Sequence, residues 1–349
     1  MDDHESPCEG PVFVAIPVLD EAAHLTALVD FLAEERRACA FEALILDGGS
    51  RDGSRALARR LAAPHPWLHL RDNPARHQAA ALNRAASWAI KRATEKASAQ
   101  EAACLIRIDA HARYPAGFVK GLVRGLHRGR ADSVVVPLVA TAPPGAPPWQ
   151  RALAALQRHW LGHGGARHRL SPAPDLPLQR VDHGHHAAFR LARFAALGGY
   201  DPRFRANEDA EYDLRLARAG GRILFDPARP VAYLPRRDPA ALARQMWRNG
   251  IWRGRCLRLH RARPAPRQLL PLGLALTALA TPGVLLWAGP VAGLPLGAYG
   301  ALLLAATRGM ESPWRAAVLA ALSHLAFGAG LAVGLLTPPR VPSAAEALA

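Results

Sequence analysis

Between residues 12 and 140, short apolar runs alternate with helical stretches, and this alternation restricts the chain more than any other feature. VFVAIPV (12–18) is a continuous run of strand length. Leu25, Leu28, Val29 and Leu32 then recur at helical spacings of three and four. ALILD (43–47) leads into a predicted helix over Ser50–Ala62 with Leu57 and Leu61. WLHLR (67–71) precedes a long helix carrying Ala81, Leu82, Ala85, Trp88 and Ala89 on one side. CLIRID (104–109) is followed by Phe118, Leu122 and Leu126 at helical spacing, then by SVVVPLVA (133–140). Strands joined by helices pair through crossovers, which predicts an α/β domain with a mainly parallel sheet covered on both faces. Ligands of such sheets gather beyond the carboxyl ends of the strands.

Acids stand at those ends. Asp20 and Glu21 follow the first strand, Asp47 closes the second, and Asp109 closes the fourth within RIDAHARY. Chain reversal explains any one of them. In ALILDGGSRDGS (43–54) glycine tolerates positive φ, Asp and Ser bond their own backbone, and Ser50 or Asp52 can cap the next helix. Three acids at strand ends of one sheet predict a shared polar site. Carboxylates there suit Mg²⁺ or Mn²⁺ bound together with a phosphate.

IPVLDEAAHL, LILDGGSRDGS, RIDAH and NEDAEYDLRLARAGGRILFDP resemble, in that order, the family 2 glycosyltransferases of the Rossmann-like GT-A fold. DNPARHQAAALNRA and RIDAHARYPAGFV are similar in particular to the ExoA-type enzymes of succinoglycan biosynthesis. The resemblance covers about residues 11–260 and implies inverting transfer of a sugar from a nucleotide diphosphate donor, usually UDP-linked. It implies that Pro17, Asp20 and Glu21 surround the nucleoside, that Asp47 accepts from the uracil N3–H, and that Asp109 meets the ribose and a metal-bound diphosphate. The second acid of the family's Asp-X-Asp motif is replaced here by His111. Imidazole ligates Mn²⁺ and suits Mg²⁺ less well; the alternative is that His111 only bonds a phosphate or the sheet edge. A divalent cation on Asp109 and His111 is therefore the expected cofactor. Arg76 and Arg107 can neutralise phosphate charge nearby, or serve as surface or structural residues.

The second half supplies acceptor-side candidates. In NEDAEYDLRLARAG, Glu208 and Asp209 open a helix, where acids are favoured by the helix dipole alone. The resemblance makes Asp209 the general base, with Glu208 beside it. In QMWRNGIW, Gln245, Arg248 and Trp252 resemble a Gln-X-X-Arg-Trp motif with a longer Arg-to-Trp spacing. Arg248 would hold the diphosphate, and Trp252 would support the acceptor or anchor at a membrane surface. Asp182, His183, His185 and His186 in VDHGHHAAFR look like a metal cluster, but strand alternation would split the histidines between two faces. They read as acceptor-pocket or loop histidines.

After Arg267 charge nearly vanishes. Residues 269–288, 290–307 and 316–336 are each close to the roughly 20 apolar residues that span hydrocarbon, the middle one Gly- and Pro-rich and open to a re-entrant path. Arg244, Arg248, Arg253, Arg255, Arg258, Arg261, Arg263 and Arg267 precede them with no acid between. By the positive-inside rule this flank and the catalytic domain lie in the cytoplasm, on the bacterial inner membrane. With 44 Lys+Arg against 28 Asp+Glu the chain is +16, and this arginine cluster accounts for much of the excess without nucleic acid. Cys8, Cys39, Cys104 and Cys256 form no CxxC pair, which argues against a disulfide framework and suits a reducing compartment. The acidic N-terminus is not a signal peptide.

The expected organisation is a tail (1–10), a GT-A domain (11–238), basic interfacial helices (239–267), two or three transmembrane helices (268–338) and a tail (339–349). The expected reaction moves a sugar, with glucose from UDP-glucose as the guess, to a lipid-linked saccharide of exopolysaccharide biosynthesis. A polyprenyl-phosphate glycosyltransferase and a noncatalytic UDP-binding membrane scaffold are the alternatives.

Overall fold

Most of the alternating strands join one eight-stranded sheet, and β6 (Leu138–Ala140) instead pairs in a second, two-stranded one. A computed structural model describes residues 10–95, 100–165, 173 and 175–338; most of both predicted tails lies outside them. The chain begins β1 (Val12–Val18), α1 (Ala22–Ala38), β2 (Glu42–Asp47), α2 (Ser54–Ala62), β3 (Leu68–Asp72), α3 (Gln78–Glu95), β4 (Cys104–Arg107) and α4 (Phe118–Arg128). The expected run 133–140 is divided at Pro137 into β5 (Ser133–Val136) and β6 (Leu138–Ala140), because proline brings no N–H to a ladder. Two helices follow, α5 (Pro148–Gln157) and α6 (Trp160–His163). Then come β7 (Gln179–Arg180), β8 (His185–Arg190), α7 (Leu191–Ala196), α8 (Glu208–Arg218), β9 (Ile223–Phe225) and β10 (Val231–Tyr233). The chain closes with α9 (Pro239–Leu259), α10 (Pro266–Ala288), α11 (Leu294–Ala306) and α12 (Pro313–Leu336).

By compactness one unit holds the chain up to Leu138 with Ser171–Ala232, and a second holds Val139–Leu170 with Tyr233–Arg340. Residues 139–170, expected inside the 11–238 domain, thus group with the helices.

In the first unit the strand order is β3-β2-β1-β4-β8-β5-β9-β7. The first four strands are mutually parallel, as the alternation predicts. β8 runs antiparallel to both β4 and β5, and β7 antiparallel to β9, so the sheet is mixed. The chain returns to β8 after a long excursion instead of a single crossover helix, and that return leaves its direction unconstrained. Strand alternation divides the core. Val12, Val14, Ile16 and Val18 pack on one face with α1 and α4, while Phe13 and Ala15 face α3, α7 and α8. Glu35 is a buried acid on α1 whose carboxylate accepts from Gly117 N (2.6 Å) and Val119 N (2.8 Å), capping α4 from a distant segment.

The second unit is helical. α5, α6, α9, α11 and α12 share a cluster that includes Leu153, Leu161, Leu242, Leu303, Leu319 and Ala320. Along α9 and α12 the backbones touch at glycines. A Cβ on Gly250 would meet the Phe327 carbonyl, one on Gly254 the Leu331 carbonyl, and one on Gly334 the Ile251 carbonyl. Gly250 with Gly254 and Gly330 with Gly334 are both four apart, the spacing that lets helices approach closely.

Two stretches are long and apolar enough to cross a membrane, Pro266–Ala306 and Pro313–Leu336. The middle of the three expected spans is a 3-10 turn followed by α11. At 13 residues α11 is about 20 Å long, short of a roughly 30 Å hydrocarbon core. Cys104 and Cys256 are buried and outside any disulfide, whereas Cys39 is disulfide-bonded.

Candidate active site

The order β2-β1-β4 puts the carboxyl ends of three acid-tipped strands side by side. Between β1 and β4 the chain direction of sheet growth reverses, which opens a crevice there. Pro17 pairs with Leu46 of β2 and lies beyond the last β4 rung, Ala15–Arg107, where its missing N–H costs no ladder bond. Asp20 adopts φ 56° and accepts from Arg51 N (2.7 Å), while its own N–H donates to Ser50 Oγ (2.9 Å). Glu21 N donates to Ser54 Oγ (2.8 Å) and Ala22 N to Asp52 Oδ2 (2.9 Å). These cross-links tie the loops after β1 and β2 together. They also start α2 at Ser54, later than predicted, because Asp52 serves the 20–22 loop and its own turn.

Asp47 is 1% exposed. Its Oδ1 accepts from Ser50 N (3.3 Å) and Ser50 Oγ (2.6 Å); its Oδ2 accepts from Gly49 N (3.3 Å) and Arg55 Nη1 (3.5 Å). Arg55 also pairs with Asp72. Four donors occupy the four lone-pair positions of a carboxylate, so a uracil N3–H would have to displace one of them. Arg76 is exposed beside this turn, its Nη1 4.0 Å from where a Gly49 Cβ would stand.

Asp109 is held from several sides. Arg107 donates to both its oxygens (Nε–Oδ1 3.0 Å, Nη2–Oδ2 3.0 Å), Gln78 Nε2 donates to Oδ1 (3.1 Å), and its backbone N–H donates to the Tyr114 hydroxyl (2.6 Å). Burial opposes the charge on Asp109, yet the Arg107 guanidinium holds its pKa down to about 2. His111 crosses the crevice to Glu21, Nδ1 to Oε1 at 2.8 Å. That bond raises the imidazole pKa above its ordinary value.

The residues that would hold a divalent cation here are Asp109 and His111. Among the described residues no group of three or more His, Cys, Asp or Glu is arranged for a metal. In its neutral form with Nδ1–H donating to Glu21, His111 would present Nε2 as the ligating atom, the usual setting of a metal-binding histidine. Two such ligands would leave the remaining positions to phosphate oxygens and water, as Mg²⁺ and Mn²⁺ commonly require.

The Arg107 charge also reaches the start of α8. The guanidinium is buried, and its charge acts on Glu208 and Asp209 as well as on Asp109. Burial, then the neighbouring Asp209 charge, push Glu208 up to about 6. Asp209 is half-buried; burial opposes its charge, but His183 and His186 keep its pKa below the usual carboxylate value. Glu211 turns away and is bound by Arg215 (2.6 and 2.7 Å).

Asp213 completes a network that sequence reasoning missed. It accepts from His186 Nε2 (2.7 Å), His183 Nδ1 (2.9 Å) and Gly184 N (3.3 Å), and His186 Nδ1 meets the Tyr200 hydroxyl at 2.6 Å. Burial opposes its charge, but the two histidines hold its pKa down to about 2. The signal was present, since Asp213 is four residues after Asp209 and shares its helix face. Along β8 the histidines do divide: His186 is buried against Asp213, while His185 Nε2 stands 3.9 Å from Asp109 Oδ2. His183 precedes the strand and joins His186.

Gln245, Arg248 and Trp252 all lie on α9, in the helical unit. Arg248 is exposed, Gln245 accepts from Arg236 Nε (3.2 Å), and Trp252 is buried with the Arg255 guanidinium 4.7 Å from its ring centre. A surface-anchor role for Trp252 does not agree with that burial.

Residues 13–198 match the family described as Glycosyl transferase family 2. The chain is 38% identical over 324 residues to the succinoglycan biosynthesis protein ExoA of Rhizobium meliloti (strain 1021), covering 91% of this chain and 92% of that protein. It is similar in fold to the mannosyltransferase PcManGT from Pyrobaculum calidifontis, solved in complex with GDP-Man and Mn²⁺. That match has a TM-score of 0.58 and 22% identity, and covers 91% of this chain and 88% of the other.

Proposed function

This chain belongs to glycosyl transferase family 2, and on that premise we propose that it moves a sugar, with inversion, from a UDP-sugar to a lipid-linked saccharide in bacterial exopolysaccharide assembly. UDP-glucose is the first donor to test. The observation that carries the reading is Arg107, a buried cation bonded to both oxygens of Asp109 whose charge also acts on Glu208 and Asp209. Donor-side and acceptor-side candidates therefore share one electrostatic centre.

Asp209 takes the proton of the acceptor hydroxyl as that oxygen bonds to the anomeric carbon. The bond from this carbon to the diphosphate breaks on the opposite face, and UDP leaves with the electron pair. Arg107 fixes the plane of the Asp109 carboxylate, and Glu21 fixes the imidazole of His111. Asp109 and His111 would hold a divalent cation, which when bound neutralises diphosphate charge. Gln245, Glu208 and Trp252 as acceptor-side supports, and Arg248 on the leaving group, rest on the motif alone. The apolar C-terminal helices and the preceding arginines support association with the cytoplasmic face of the inner membrane.

The test is UDP release from a panel of UDP-sugars, with total lipid extract or polyprenyl phosphate as acceptor. Release from one sugar that depends on the extract supports the reading. Release only with polyprenyl phosphate moves the acceptor to the lipid phosphate, and no release above blank leaves the scaffold.

Asp47 has its own outcome. Asp47→Ala is expected to weaken UDP binding tens-fold, because losing a buried polar partner costs about 1–3 kcal/mol. Unchanged affinity by calorimetry would take Asp47 out of the nucleotide site.

A further inference from the structure

The helical unit does not present its two apolar stretches alike. In Pro266–Ala306 the most apolar window is 0% buried inside the protein, while in Pro313–Leu336 it is 39% buried. The difference lies in what α12 touches. It runs parallel to α9 along its length. Leu242 shares a cluster with Leu319 and Ala320, the Trp247 carbonyl lies at Gly330, that of Ile251 at Gly334, and Arg258 Nη1 donates to the Leu335 carbonyl (3.0 Å). Two helices in register at backbone contact must lie at the same depth in a membrane. Yet α9 carries Arg244, Arg248, Arg253, Arg255 and Arg258. At the centre of a bilayer each arginine costs on the order of 2.5–3.5 kcal/mol or more. A spanning α12 would draw this helix with it.

The other stretch leaves α12 and comes back to it. Near its start the Pro271 carbonyl lies against Gly328. Near its end Leu303 is buried beside Leu319 and Ala320, and the Tyr299 hydroxyl meets His324 Nδ1 at 2.6 Å. The loop that follows and the start of α12 are tied to α5, where Arg151 Nε bonds Glu311 Oε1 (2.9 Å) and Trp149 packs edge-on against Trp314 (5.3 Å). Between those returns, Leu286 is 92% and Trp287 91% exposed, with Leu279, Val291 and Leu294 also bare. No charge occurs from 268 to 307, and the exposed Arg263, Arg267 and Arg308 stand at its two ends. An apolar tip rimmed by arginines matches hydrocarbon below anionic headgroups.

We propose that the chain enters the bilayer only between about residues 272 and 298, as one helical excursion that leaves and returns on the same face, and that α12 lies with α9 at that face instead of spanning. This rests on the membrane association proposed above. It puts the loops 260–265 and 307–312 and the end of α12 on one side.

Single cysteines at Arg263→Cys, Gly309→Cys and Pro338→Cys test it in the full-length, membrane-bound protein. All three positions are exposed, and labelling by a membrane-impermeant maleimide is read above that of the unsubstituted chain. All three are expected to label in inside-out vesicles and none in intact spheroplasts. Opposite-face labelling of Gly309→Cys means two spans through α10–α11 and α12, and opposite-face labelling of Pro338→Cys means a spanning α12 after a same-side loop. Either result overturns the proposal while leaving membrane association intact. Recovery of the protein in the soluble fraction without detergent would instead overturn the membrane reading on which it rests.

Discussion

Asp209→Asn is expected to lower turnover by roughly 10²–10⁴-fold and to leave UDP binding nearly intact, the range for losing a general base. The substitution keeps the size of the side chain and its bond to Ala210 N (2.7 Å) but removes the basic site. Its neighbours are poor replacements. Glu208 points elsewhere on the helix and is raised to about 6 by burial and by Asp209; Glu211 is held by Arg215. The variant has a second signature. Removing the Asp209 charge removes one cause of the raised Glu208 pKa, so Glu208 should titrate lower than in the parent protein. Turnover within about threefold of the parent, in steady-state assays of UDP release, would move the base to another residue.

Arg107→Leu is expected to cost about 3–5 kcal/mol of stability, because it strands the Asp109 carboxylate it binds through two bonds. For a unit of this size that is a fall in Tm of roughly 6–20 °C. The pH dependence follows from sign. Asp109 has a folded pKa of about 2, below its ordinary 3.8. Its contribution is therefore present above the unfolded value and lost as pH falls through about 2. Without Arg107 most of that contribution disappears. The gap between parent and variant should be widest near neutrality and narrow as pH falls below about 4. A Tm within about a degree of the parent at pH 7, by calorimetry, would show that Arg107 does not hold Asp109 in the folded chain.

Much of the first unit could be read from periodicity. The runs at 12–18, 43–47, 67–71 and 104–109 became β1 to β4, and the helical stretches between them became α1 to α4, because burial on both sheet faces demands near-continuous apolar strands. The acids at the strand ends were legible for the same reason: the alternation implies which end of each strand faces the crevice. What those acids bond to was not legible. Asp47 is enclosed by Ser50, Gly49 and Arg55, and Asp109 is clamped by an arginine two residues before it. A motif names a residue type at a position, whereas lone pairs are assigned only when the neighbouring turns have folded.

Long-range partners account for the rest. Glu35 reads as one more charge on an amphipathic helix until the fold brings the start of α4, more than 80 residues away, against it. Asp213, His183, His186 and Tyr200 read as a helix acid, strand histidines and a core aromatic until α8 packs against the sheet. The direction of β8 could not be foreseen, since the return that delivers it carries no crossover signature. The C-terminal third shows the division most plainly. Its hydropathy by itself determined that an apolar, charge-free segment follows an arginine-rich helix. Only the tertiary structure decided that α12 lies against that helix through glycine contacts while α10 and α11 stay bare between their two ends. Hydropathy measures what a segment prefers to leave behind in water. Whether protein or lipid covers it depends on which backbones can approach, and that is settled by packing.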